Sequence, residues 1–265
     1  METAHRMRAH CSEIFRFSIA EGYCETDPCR DIFLPKTGPV EHRARVAIGE
    51  LPAFFTMLNA DQSARMSQLA LRWTMLTMVR SKETCFAEWS ELENIGGANP
   101  LWRIPYQRMK PRYERLVPLS RQALRLLEEL SSLNGALTNR KIGRYLCPVE
   151  ASKTGAVTGN HMLDVLYRMG LRGKATVHGF RGLASTVLNE SGLFDGNWIE
   201  YQLAHHPGGM DRRHNPAQFL RPRRFMMQGW ADYLETAETG KKIGTRISRT
   251  GPFSLSEMQR ADLAA

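Results

Sequence analysis

Long apolar runs are missing from this 265-residue sequence. No stretch approaches the roughly 18 consecutive apolar residues of a membrane-spanning helix, and no secretory leader is expected from its pattern. A cytoplasmic protein without a membrane span is expected. Cysteine is scarce: Cys11, Cys24, Cys29, Cys85 and Cys147 form no CxxC pair, and no Cys/His cluster has zinc-finger spacing. An odd, scattered set of cysteines fits reduced thiols rather than a disulfide framework. The carboxylates are dispersed, with no DxD-like cluster for divalent ions, which weighs against a metal-dependent nuclease. No metal and no cofactor is expected. There is no internal repeat and no low-complexity tract.

What the chain does have is positive charge, with 36 Lys+Arg against 27 Asp+Glu and a formal net charge of +9. The excess is richest in arginine, whose planar fork suits phosphate better than lysine does. That balance fits a nucleic-acid partner, although a basic globular protein without one has the same charge. The 42% apolar content is enough for a real core, in one large domain or two modest ones.

The patterning predicts a mainly helical α+β chain with one small antiparallel sheet. Residues 3–22 read as an amphipathic helix with Gly22 as its stop. Turn-rich Thr26-Asp27-Pro28 and Leu34-Pro35-Lys36-Thr37-Gly38-Pro39 follow. This first helix has no partner against which to bury its apolar face. It therefore looks like the end of a domain (residues 1–30), followed by a linker (31–46). Helices are expected near 50–60 and 69–78. Phe86–Trp89, Leu101–Pro105 and Leu116–Leu119 look like strands around the Gly96-Gly97 turn. Helices are expected again over 120–133, 158–169, 178–191, 196–205 and 219–236, with Ser120 and Thr158 as N-caps of the first two. Residues 47–236 would form the main domain, and 237–265 a polar tail.

The most informative segment is His178-Gly179-Phe180-Arg181. Histidine and arginine three apart on a helix share a face, so one can move a proton while the other clamps a phosphate oxygen. HxxR alone is common by chance, and a helix N-terminus with a polar face explains it equally. Other phrases accompany it in order: Trp102-Arg103-Ile104-Pro105, Arg108-Met109-Lys110 and Val117-Pro118-Leu119-Ser120 upstream, then Gln202-Leu203-Ala204-His205, Asn215, Gln218-Phe219-Leu220, Arg223-Arg224, Met226-Met227-Gln228 and Trp230-Ala231-Asp232-Tyr233-Leu234. Together they resemble the prophage-type branch of the tyrosine recombinase (phage integrase) family over about residues 45–236, and weakly over 1–30, which looks like the last helix of that family's core-binding domain.

The resemblance implies the catalytic-domain fold of that family and site-specific DNA integration. A tyrosine attacks the scissile phosphate, leaving a 3′-phosphoryl link to the protein and a free 5′-hydroxyl, without metal or ATP. By position, Arg80 and Arg181 would hold the non-bridging oxygens, His178 would be the acid/base, Lys110 would protonate the leaving 5′-oxygen, and His205 would bond the phosphate. Glu83 matches the acidic residue three after the first arginine; Val79 and Ser81 depart mildly from the small residues usual at that turn. Double-stranded DNA at attachment sites is the implied partner, with a homotetramer on DNA and a monomer without it. Residues 237–265 would be an exchanged or a disordered tail.

The departure lies at the nucleophile. The family's tyrosine stands just before the Asn-x-x-Gln-Phe-Leu phrase, and here His214 occupies that place. Tyr201 and Tyr233 are not well placed to substitute, and Tyr113 and Tyr145 have no motif around them. The histidine would be an engineered replacement, the mark of a DNA-binding relic without catalysis, or itself a nucleophile, since histidine can form covalent phosphoryl intermediates. A purely structural helical protein would leave the ordered Arg80, Lys110, His178, Arg181, His205 series a coincidence.

Overall fold

The computed structural model describes residues 2–35, 44–62, 65–109, 114–135, 143–204 and 218–240. Lys110, His205, His214 and the segment 241–265 lie outside the described residues. The chain divides into two units, Met1–His42 and Arg43–Ala265.

In the first unit, helix α1 (Glu2–Ala20) ends where Gly22 adopts φ +78. Gly22 N–H donates to Ile19 O at 3.1 Å and Tyr23 N–H to Ser18 O at 2.8 Å, which satisfies carbonyls the helix end would leave open. The following turns lie back on α1: Arg8 Nη1 donates to Ile32 O at 2.9 Å and His5 Nε2 to Pro35 O at 2.7 Å. Ser12 bonds Asp27, whose Oδ1 accepts Cys29 N–H at 2.9 Å. These are polar ties, and Ile14 and Phe17 stay exposed.

The second unit is built around α3 (Arg65–Thr77), which packs against α5 (Arg121–Asn134), α6 (Gly159–Arg168) and α9 (Leu220–Glu238). Neighbours on several sides explain why Leu69, Leu71, Trp73 and Met75 are all buried although no single helical face contains them. In α5 the apolar residues recur at helical spacing, with Leu126, Leu127 and Leu130 buried and Arg121, Arg125 and Glu128 exposed. Ser120 Oγ accepts Ala123 N–H at 3.2 Å, the expected N-cap. At α6 the cap works differently: His161 Nδ1 accepts Thr158 N–H at 3.0 Å. Helix α2 (Leu51–Ala60) sits on α9, and its Phe54 ring lies 5.1 Å from Phe180 of α7 (Gly179–Ser191). Trp230 of α9 donates from Nε1 to Met75 O at 2.8 Å.

The sheet is antiparallel in the order β1 (Leu92–Glu93), β2 (Leu101–Ile104), β3 (Arg115–Pro118). Trp102 pairs with Val117, and its ring meets Trp73 at 5.3 Å, which joins sheet to helices. The expected strand over Phe86–Trp89 is absent from this sheet. Ala87 O instead accepts Leu146 N–H at 2.8 Å, Glu88 bridges Tyr145, and a 3-10 turn over Trp89–Glu91 leads into β1. Short apolar runs do not distinguish a strand from a buried connection. Ahead of it lies a short helix that the periodicity did not reveal, α4 (Ser81–Cys85).

Among the described residues no helix is long and apolar enough to cross a membrane, and no group of three or more His, Cys, Asp or Glu could hold a metal ion. All five cysteines are free.

Candidate active site

The two arginines singled out in the sequence lie on different elements and meet at one place. Arg80 is there because α3 stops abruptly. Met78 takes a left-handed conformation (φ 55), Val79 is buried, and Arg80 becomes the N-cap of α4. Glu83, one turn into α4, accepts Arg80 N–H at 3.0 Å on Oε2 and Arg80 Nη1 at 3.1 Å on Oε1. Glu83 is 5% exposed, whereas the Arg80 side chain is 36% exposed and so reaches the surface.

Arg181 stands in the first turn of α7, 3% exposed. Its Nη1 donates to Met78 O and its Nη2 to Leu203 O. His178 precedes the helix in an αR conformation and is exposed, so the HxxR pair presents one buried and one open side chain. Gly179 between them is required by a close approach. A Cβ there would fall 2.6 Å from Ala44 O and 3.0 Å from Arg45 Cβ. Residues 44–46 are fastened across this turn: Thr176 Oγ1 donates to Ala44 O at 3.3 Å, and Arg45 Nη1 donates to Thr186 Oγ1 at 2.9 Å.

Arg80 and Arg181 converge on the end of α8 (Gly196–Gln202), whose last carbonyls lack partners within the helix. Three consecutive carbonyls there each accept from a different arginine: Gln202 O from Arg115 Nη2, Leu203 O from Arg181 Nη2, and Ala204 O from Arg80 Nη2 at 3.1 Å. The negative pole of the helix favours this. Arg115, buried in β3, closes the ring with its Nη1 on Glu83. Behind it, fully buried Arg223 of α9 donates from Nε to Gln202 Oε1 at 3.0 Å, from Nη1 to Gln218 O at 3.0 Å and from Nη2 to Leu116 O at 2.7 Å.

Arg80 and Arg115 thus bond one buried carboxylate, Glu83, Arg181 lies within reach of its charge, and Arg223 stands behind them on Gln202. Burial pushes Arg181 down to about 9, and neighbouring Arg115 and Arg80 add to it against Glu83 and Glu200. Arg223 is likewise pushed down to about 9 by burial, then by Arg115. Arg115 is lowered by burial and by Arg80, with Glu83 opposing. At neutral pH Arg181 and Arg223 therefore remain cations. The cluster carries a surplus of positive charge and presents its half-exposed member, Arg80, at the surface.

Of the expected site residues, Arg80 and Arg181 come together and His178 lies at the first turn of the same helix as Arg181. Lys110, His205 and His214 lie outside the described residues. Sequence reasoning passed over Arg115, and it quoted Gln202 and Arg223 only as parts of longer phrases. The signals were present. Arg115 heads a strand buried at every position. Arg223 falls on the same stripe of α9 as Met226, Met227, Trp230 and Leu234, which are buried, and a charge on an apolar stripe signals a buried pairing.

Comparison with known proteins agrees with this architecture. The phage integrase family matches residues 46–217, and the phage integrase central domain matches residues 1–33. Prophage integrase IntZ of Escherichia coli (strain K12) is 35% identical over 243 residues, covering 90% of this chain and 57% of that protein. The integrase of Enterobacteria phage P4 is 32% identical over 251 residues, covering 88% of this chain and 55% of that protein. The chain therefore spans a little over half the length of these curated relatives. A lambda integrase dimer bound to a COC′ core site shares the fold, with a TM-score of 0.56 at 18% identity over 78% of this chain and 57% of that chain. With a family match over residues 46–217, which includes Arg80 and Arg181, the chain belongs to the phage integrase family.

Proposed function

We propose that this chain grips a scissile phosphate of double-stranded DNA and serves site-specific integration by strand cleavage and rejoining through a covalent 3′-phosphoryl intermediate. The observation that carries this reading is the gathering of Arg80, Arg115 and Arg181 around the single carboxylate of Glu83. A bound phosphate would offset their mutual repulsion, and in a site of low dielectric fixed cations stabilise charge building on phosphorus. In this reading Arg80 and Arg181 hold the non-bridging oxygens, His205 bonds the same phosphate, and His178 moves the proton of the attacking group. That group forms a bond to phosphorus while the bond to the 5′-oxygen breaks, and Lys110 donates the proton that leaves with the 5′-hydroxyl. Residues 1–30 act as the end of a core-binding domain, 31–46 as a linker, 47–236 as the catalytic domain and 237–265 as a tail. The setting is cytoplasmic, in keeping with five free thiols. A lambda integrase tetramer bound to a Holliday junction is among the structures of this fold. A tetramer on DNA and a monomer without it are proposed by analogy.

A second reading is favoured by His214, which stands where the family's tyrosine is expected: DNA binding without catalysis. A nicked suicide duplex carrying the attachment site separates the two. A covalent protein–DNA adduct that His214→Ala abolishes makes His214 the attacking group. Salt-dependent binding with no adduct, and an adduct regained by His214→Tyr, supports the non-catalytic reading. DNA binding that is unchanged in Arg80→Ala and Arg181→Ala sinks both.

A further inference from the structure

The guanidinium of Arg181 is held between two stretches of backbone, Thr77–Met78 at the end of α3 and Gln202–Ala204 at the end of α8. Nothing in the local sequence keeps these two stretches at the right separation. The buried side chain of Gln202 does. Its Nε2 donates to Thr77 O at 2.8 Å, one residue before the Met78 carbonyl that Arg181 uses. Its own backbone leads directly into the Leu203 carbonyl that Arg181 also uses. The amide cannot reverse, because Arg223 faces Oε1 with donors only, from Nε at 3.0 Å and from Nη2 at 2.5 Å. Arg223 is fixed in turn by Leu116 O and Gln218 O.

We propose that Gln202, oriented by Arg223, is a positioning residue that sets the gap in which Arg181 is clamped, and so sets the direction in which Arg181 can meet a phosphate. Its role toward phosphate rests on the function proposed above; the clamp itself does not. The arrangement follows from donor and acceptor chemistry. A glutamine amide can accept twice from an arginine and donate to a carbonyl from one planar head, and all three bonds are made here, two to Arg223 and one to Thr77 O. A methionine of similar length fills the space but joins nothing.

The test uses the full chain labelled with 15N. Arg181 side-chain resonances are assigned by their loss in Arg181→Lys. In the native chain the clamp should slow rotation about Cζ–Nε, so the Nη groups of Arg181 give separate signals. In Gln202→Met those signals should merge, while those of Arg103, paired with Glu93 and Glu114 on the sheet, stay unchanged. Merged signals in the native chain, or separate signals that persist in Gln202→Met, overturn the proposal. If Gln202→Met fails to fold, Arg223→Lys carries the same test, since it keeps the charge and loses the fork on Oε1. Titration with inorganic phosphate is the second readout. The native Arg181 signals should shift, and the variant should bind about tenfold more weakly, as expected when a forked phosphate contact is misplaced. Phosphate that leaves native Arg181 unmoved counts against the phosphate reading, and the clamp is then judged on the rotation data alone.

Discussion

Replacing Glu83 by glutamine removes one negative charge and about one atom's worth of chemistry from the middle of the cluster. The carboxylate accepts Arg80 N–H and Arg115 Nη1 on one oxygen and Arg80 Nη1 on the other. An amide has a single oxygen, so whichever way it turns its NH2 group faces a guanidinium donor. The Arg80 half of the loss is moderated by water, because that side chain is 36% exposed. The Arg115 half is not, since both Arg115 and Glu83 are buried. Removing one partner of a buried ion pair costs about 3–5 kcal/mol, a large fraction of the roughly 5–15 kcal/mol that stabilises a domain. Urea unfolding of Glu83→Gln should show a lower midpoint with an unchanged slope. Adding Arg115→Met removes the stranded cation and should recover part of the loss. Recovery is incomplete because Gln202 O loses its donor, at a cost of about 1–3 kcal/mol for a buried acceptor. The cycle should therefore show a coupling of about 2 kcal/mol or more. A single-variant cost below about 1 kcal/mol, or two additive variants, would refute the picture of a buried pair at the centre of the site.

Gly179→Ala should destabilise the chain by about 1–3 kcal/mol in thermal unfolding, because the new Cβ meets backbone at 2.6 Å and either α7 or residues 44–45 must move; an unchanged Tm contradicts the close approach. Burial pushes the Cys85 thiol up to about 11 and raises that of Cys147 as well. At pH 8 a disulfide reagent should therefore label exposed Cys11 at once and these two only on unfolding, read by peptide mapping. Burial raises the Glu238 pKa, but the hydrogen bonds and charge of Arg72, aided by Asn59, outweigh it and the net shift is downward. A depressed folded pKa means the pair stabilises the fold above the ordinary carboxylate range and is lost as pH falls through the folded value. Glu238→Gln should flatten the acid limb of a stability–pH curve, and a limb as steep as before rules the pair out.

The helices were legible in the sequence wherever one face met one neighbour. The stripe of α5 and its Ser120 cap, the spacing of α9, and the Gly22 stop of α1 are local signals with local causes. Phe86–Trp89 misled because it is a buried connection whose hydrogen bonds run to residues 144–146, far along the chain. Helix α4 was hidden because five residues are too few for a period. Arg80 and Arg181, which the structure brings together at the end of α8, were singled out through their phrases and spacing. Arg115 was not, because its value lies in partners 32 and 87 residues distant, Glu83 and Gln202 O. No window of sequence shows which guanidinium will take which carbonyl.

The three-arginine ending of α8 also bears on how such a chain changes under selection. Most helices finish on a glycine or a polar cap that has no other duty. Here the groups that close the helix include the two proposed to grip phosphate, Arg80 and Arg181. Their loss would leave buried carbonyls open and harm folding before any question of chemistry arose. Folding alone thus preserves these arginines, whatever becomes of the chemistry. In a lineage released from strand cleavage, the arginines that close α8 would persist as part of the fold.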